Sequence, residues 1–159
     1  MSDNVKILIS SSTKNLSTVR KFVEENAELS GLDQATINQI VLSVDEACTN
    51  IIKHAHKYNE ANTIEIEVET ENNQIKITFN YKSGNTFDPN DSSNPDMTEY
   101  FKNFRVGGLG IPIMKKFMSK IIAQHKNPDL NSLILIKSLD KPSPFPAGAK
   151  QFKGIIVFR

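Results

Sequence analysis

One long apolar stripe constrains this chain more than any other feature. Ile37, Ile40, Val41, Val44, Cys48, Ile51 and Ala55 recur at helical spacing behind Asp33, a residue able to accept the first free amides of a helix. The pattern predicts a helix from Asp33 to about His56 with one face that must be buried. Two runs of strict alternation follow: Ile64, Ile66 and Val68 against Glu65, Glu67 and Glu69, then Ile75, Ile77 and Phe79 against Lys76, Thr78 and Asn80. A period of two puts the apolar set on one face of a hairpin turning at Glu71 to Asn73 and leaves glutamates and a lysine to pair on the wet face. A helix with a face to bury, beside a sheet with a face to cover, predicts helices layered on one side of a sheet.

The flanking segments extend this plan. Val5, Ile7 and Ile9 alternate with Lys6, Leu8 and Ser10, which predicts a half-buried strand at a sheet edge. Leu16, Val19, Phe22, Val23 and Ala27 predict an amphipathic helix from Leu16 to Leu29, with Gly31 where a C-terminal cap belongs. From Lys82 to Gly110 the periodicity gives way to Asn, Asp, Ser, Pro and Gly, interrupted by Tyr100, Phe101 and Phe104, the composition of a lid. A helix is expected from Gly110 to about Lys120, with Ile111, Met114, Phe117, Met118 and Ile121 as its buried stripe. Strands are expected near Ile121 to Gln124 and Leu133 to Ile136. Pro142, Pro144 and Pro146 mark a loop before a last strand at Ile155 to Phe158. The expectation is one domain over 1–159, of the α+β class. Its two layers are helices and a mixed, mainly antiparallel sheet, followed by a Pro-rich extension at about 139–153.

Composition removes several function classes. A chain of 159 residues buries about 68 to 70% of its unfolded surface and needs no metal or disulfide to hold a core. Cys48 is the single cysteine and cannot pair within the chain, and no basic-then-apolar leader opens the sequence, so a reducing cytoplasm is expected. No apolar run reaches the 18 or so residues of a membrane span. With 19 basic against 18 acidic residues and no basic block, direct nucleic-acid binding by phosphate neutralisation is not expected. A small acidic or phosphorylated ligand fits.

Two polar constellations could meet such a ligand. On a helix advancing 100° per residue, Glu46, Asn50, Lys53, His54 and Lys57 form one row opposite the apolar stripe. A solvated helix face would look the same. Asn50, however, sits mid-helix, where asparagine costs roughly 0.5 to 0.7 kcal/mol relative to alanine, which asks for a reason outside helix propensity. A carboxylate, an amide and two cations in one row could hold a metal ion and phosphates. The second constellation is Gly107-Gly108-Leu109-Gly110, which opens the helix at Ile111. Glycines admit close backbone approach, and the free amides of a helix start favour an anion. No Gly-Lys-Ser or Gly-Lys-Thr follows, so this is not a P-loop.

Asp45-Glu46-Ala47-Cys48-Thr49-Asn50-Ile51-Ile52-Lys53-His54-Ala55 resembles the N-box of the GHKL ATPase superfamily, in the form carried by RsbW-type anti-sigma factor serine kinases. Gly107-Gly108-Leu109-Gly110-Ile111 resembles their second glycine box, and Gly84 with Phe87 matches the first. The resemblance implies a Bergerat-type two-layer sandwich that binds ATP or ADP with Mg2+ beneath a lid at about 82–110. It implies a cytoplasmic homodimer that sequesters a sigma factor and phosphorylates a serine on a STAS-type anti-sigma factor antagonist. It makes Asn50 the magnesium ligand and Glu46 the general base. Lys53, His54 and Arg105 would meet phosphate charge.

One position departs from the family. Where an aspartate would accept the adenine amino group, this chain has Lys82. An ammonium cannot accept a hydrogen bond, and a buried amino group left unpaired costs about 1 to 3 kcal/mol. Asn80, Asp88 or a bridging water could substitute, and Lys82 could donate to guanine O6 instead. The departure leaves an alternative open: a nucleotide-independent anti-sigma or adaptor module on the same fold.

Overall fold

The computed structural model describes residues 3–71, 73–83, 110–127 and 129–139. Five strands form one sheet: β1 (Asp3–Ser10), β2 (Thr63–Glu71), β3 (Gln74–Lys82), β4 (Lys120–Asn127) and β5 (Leu130–Ser138). Their order across the sheet is β1-β2-β3-β5-β4, and every pairing among the described residues is antiparallel. The mixed sheet expected from the sequence is therefore fully antiparallel over these strands. β1 lies at an edge as its pattern predicts, with Ile9 buried and Leu8, on the opposite face, 67% exposed.

Three helices cover the other face: α1 (Leu16–Leu29), α2 (Gln34–Asn50) and α3 (Gly110–Phe117). α2 is the central one, packed against α1 on one side and α3 on the other. Its start is built as predicted, with the Asp33 carboxylate accepting from Thr36 N–H at 2.9 Å. α1 ends at Ser30, followed by Gly31 at φ 82°, the left-handed conformation a glycine adopts without steric cost. The core lies between the layers. Val19, Val23 and Ala27 of α1, Ile37, Ile40, Val44, Ala47 and Cys48 of α2, and Met114 of α3 meet Ile64, Ile66, Ile77, Phe79, Leu133 and Leu135 of the sheet. On the open face Lys76 pairs with Glu69 at 3.3 Å, the cross-strand charge pair expected from the alternation.

α3 is shorter than its apolar pattern predicts. It stops at Phe117, and by Ser119 the backbone has joined the sheet, donating to the Ile136 carbonyl at 2.8 Å. Lys120 and Ile121 belong to β4, opposite Ile136 and Leu135. A full ladder partner thus outweighs continued helical periodicity. Lys137 marks the boundary by donating to the Phe117 carbonyl at 2.6 Å and to Gln39 Oε1 at 2.9 Å, placing a cation at the helix C-terminus. The lid, the Pro-rich extension and the expected strand at Ile155 to Phe158 lie outside the described residues.

Two outcomes follow from the packing of α2. Ile40→Ala is expected to lower unfolding free energy by about 2 to 5 kcal/mol in chemical denaturation, because Ile40 is fully buried between layers. The Cys48 thiol is pushed up to about 12, by burial first and by Asp45 second. It is expected to stay unmodified by a thiol reagent in native buffer and to react once the chain is denatured.

Candidate functional site

The site forms where α2 changes its winding. After Asn50 the helix continues as one π turn, Ile51–Ala55, and His56 N–H donates to the carbonyl of Ile51, five residues back, at 2.9 Å. Such widened turns occur mostly at functional sites. The chain then leaves through Lys57 at φ 50° and Tyr58 at φ 64°, two non-glycine residues in the left-handed region, where side-chain crowding makes the conformation costly.

This geometry corrects the polar row read from the sequence. Asn50 is not on a solvated face; it is 5% exposed, at the edge of the core beside Ala47, Ile51 and Ile52. The extra residue in the π turn breaks the 100° phase after Asn50, and Lys57 lies beyond the helix altogether. Glu46 and His54 are half-buried, and Lys53 is exposed. The fixed pair is Glu46 and Asn50, four residues apart on α2, a rise of about 6 Å.

Asn50 Nδ2 is, among the described residues, the buried side-chain polar atom without a hydrogen-bond partner. Native folds satisfy most such atoms, and an amide left in this state calls for a partner that the described residues do not supply. Rotating the amide presents Oδ1 in the same place, an oxygen ligand suited to a hard cation. The described residues hold no cluster of three His, Cys, Asp or Glu able to bind a metal by themselves. That donor set fits magnesium, which keeps several waters and is commonly shared between one or two side chains and substrate phosphates. Asn50 would hold it, and the ion would supply charge neutralisation at the phosphates.

The electrostatics around Glu46 suit a proton acceptor. Burial raises its pKa, the neighbouring Asp45 raises it further, and Lys53 opposes both. Asp45 is itself held by Arg20, 2.5 Å away. Lys53 therefore acts on the carboxyl despite lying in the solvent. The His54 pKa is lowered by burial, then by Lys53 and Lys57, which favours the neutral ring.

A joint invisible in the sequence closes the site on its far side. His56 is 4% exposed, with Nδ1 2.8 Å from Ser11 Oγ and Nε2 2.7 Å from the Lys82 carbonyl oxygen. Its ring stands edge-on to Tyr81. Ser83, the next residue after β3, donates its N–H to the Asp129 carbonyl at 2.8 Å and its hydroxyl to the Ala55 carbonyl at 3.5 Å. Nothing in the text His54-Ala55-His56 distinguishes the second histidine from the first. Lys82 itself presents its carbonyl to this joint, and its side chain is exposed. Strand alternation puts that side chain on the face opposite the buried Tyr81. Gly110 is the first residue of α3 and Ile111 the second. Gly84, Phe87, Arg105, Gly107, Gly108 and Leu109 lie outside the described residues.

Residues 9–137 match the sequence pattern of the histidine kinase-like ATPase domain. The chain belongs to that family. It is similar to the serine-protein kinase RsbW of Staphylococcus aureus: 27% identical over 124 residues to that of strain MSSA476, covering 75% of this chain and 77% of the relative. The same kinase of strain MW2 gives the same values, and another S. aureus RsbW is 28% identical over the same share of each chain. The family match, over residues 9–137, includes the central helix with Glu46 and Asn50. Among the described residues no helix is long and apolar enough to cross a membrane.

The orphaned amide makes a direct prediction. Asn50→Leu replaces it with an apolar side chain of similar size, so the ligand-free protein should be more stable by about 1 to 3 kcal/mol in urea unfolding. A loss of stability would mean that the amide is satisfied within the fold.

Proposed function

We propose that this chain is an ATP-dependent serine protein kinase and anti-sigma factor of a partner-switching system. It binds ATP with Mg2+, holds a sigma factor, and phosphorylates a serine on a STAS-type antagonist. It works in the cytoplasm, as a homodimer, without touching DNA. The observation that carries the reading is the buried, unpartnered amide of Asn50, one turn from a carboxyl whose pKa is raised. The likeness to proteins named serine-protein kinase supports the choice of serine as acceptor.

In the reaction, the serine hydroxyl oxygen forms a bond to the γ-phosphorus while the bond to the β,γ-bridging oxygen breaks, and ADP leaves with that electron pair. Glu46 accepts the hydroxyl proton, a role for which a raised pKa is an advantage because a stronger base takes the proton more readily. Asn50 would hold the magnesium ion, which would supply charge neutralisation at the phosphates. The family resemblance assigns Lys53, His54 and Arg105 to the phosphate charge, and Gly107, Gly108, Leu109, Gly110 and Ile111 to phosphate binding through backbone amides. The family resemblance assigns Gly84 and Phe87 to the recognition of the base.

Lys82 favours a second reading, a partner-binding module that does without nucleotide. Lysine stands at the sequence position where the family pattern has an aspartate, and an ammonium cannot accept from adenine. The two readings part in one experiment. The kinase reading expects phosphate transfer from labelled ATP to the antagonist, reduced about 10²- to 10⁴-fold in Glu46→Gln. The rate of the wild type should fall as pH drops through the raised Glu46 pKa, where the base is lost by protonation, and the Gln variant should lack that limb. No transfer, no calorimetric binding of Mg-ATP or Mg-ADP by the wild type, and binding gained by Lys82→Asp would establish the module instead.

A further inference from the structure

His56 has no part in the chemistry just described, yet both of its ring nitrogens are engaged beside it. A carbonyl can only accept, so Nε2 carries the proton that meets Lys82 O, and Nδ1 of the neutral ring accepts from the Ser11 hydroxyl. The ring thereby ties three segments far apart in sequence: the residue after β1, the end of the Asn50 helix, and the last residue of β3. Its own N–H closes the π turn on Ile51, and Ser83 makes a second tie from the β3 exit to the Ala55 carbonyl. The chain leaves β3 at Lys82 and Ser83 for the first glycine box, so the separation between that exit and Asn50 is set through this ring.

We propose that His56 is a positioning residue for nucleotide binding, locking the β3 exit at Lys82 against the end of the helix that carries Asn50. The proposal rests on the reading of Asn50 as part of a nucleotide site. Burial lowers the His56 pKa, which keeps the ring in the neutral state this pattern of bonds requires. Tyr81, packed edge-on, holds the ring plane so that both nitrogens reach their partners. A histidine serving only the core would tie the same segments without affecting what binds beside them.

The test compares His56→Phe, which keeps the ring volume and the contact with Tyr81 but neither hydrogen bond, with His56→Gln, whose amide can still donate to the Lys82 carbonyl. Melting temperature and calorimetric Mg-ADP affinity are measured for each, with titrations run well below each melting point. The Phe variant is expected to raise Kd about ten-fold, as when hydrogen bonds fixing one wall of a pocket are lost, and the Gln variant to stay within about three-fold of the wild type. Lowered melting temperatures with unchanged Kd in both variants would reduce His56 to a structural residue and overturn the proposal. If His56→Phe does not fold, the wild-type imidazole resonances decide: Mg-ADP should shift the His56 ring signals, and unshifted signals at saturation would overturn it. A wild type that binds neither Mg-ATP nor Mg-ADP removes the nucleotide reading itself and the proposal with it, an outcome distinct from intact binding in both variants.

Discussion

Burial of α2 along its full length is the constraint on which the other features depend. The helix is central, flanked by α1 and α3 and pressed onto β2, β3 and β5 by Ile37, Ile40, Val44, Ala47, Cys48 and Ile51. A helix so placed cannot leave its final turn to the solvent. Its polar end is therefore carried into the protein, and Asn50 arrives at the edge of the core with an amide nitrogen that no described residue satisfies. A buried unpaired polar group costs about 1 to 3 kcal/mol, a large share of the few kcal/mol that hold a domain of this size together. Such a cost is tolerated where a ligand supplies the missing partner.

The local backbone is shaped to the same end. The π turn after Asn50 and the left-handed Lys57 and Tyr58 are departures from easy conformations within a span of eight residues, at the place where the unsatisfied amide lies. The surrounding structure holds them in place: the Tyr58 N–H reaches back to Ile52 O at 2.9 Å, and His56 is anchored at both ring nitrogens. Charge is graded along the helix in a consistent way. Burial and then the neighbouring Asp45, itself paired with Arg20, raise the Glu46 pKa, and Lys53 limits how far it rises.

The architecture was legible in the sequence because the periodicities of α1, α2 and the β2–β3 hairpin are long and agree with one another. α1 begins and ends where the apolar spacing and Gly31 place it, and Asp33 caps α2 as its side chain predicts. The errors fall where tertiary pairing overrides local pattern. α3 was read three residues too long because Met118 and Ile121 continue a helical spacing, while the ladder with Ile136 had already claimed the chain at Ser119. For the candidate site the sequence names residues but not their geometry. The helix text singles out Glu46 and Asn50, but the buried face of α2 is wider than its apolar stripe, taking in Ser43 and Ala47 beside Asn50, and a uniform 100° wheel cannot foresee the π turn that displaces Lys53, His54 and Lys57. His56 was missed because its partners, Ser11 and the Lys82 carbonyl, lie 45 and 26 residues away, beyond any spacing argument.

The proposed function puts a magnesium nucleotide at the end of α2, from Asn50 to His56. Amide hydrogen exchange of the wild type, with and without saturating Mg-ADP, tests it most directly, because the widened turn is held by single bonds whose opening a ligand would suppress. The account predicts slower exchange across Ile51 to His56 and at Ser83, with the outer strands β1 and β4 little changed. Protection confined to other segments, or none at any amide, would contradict it.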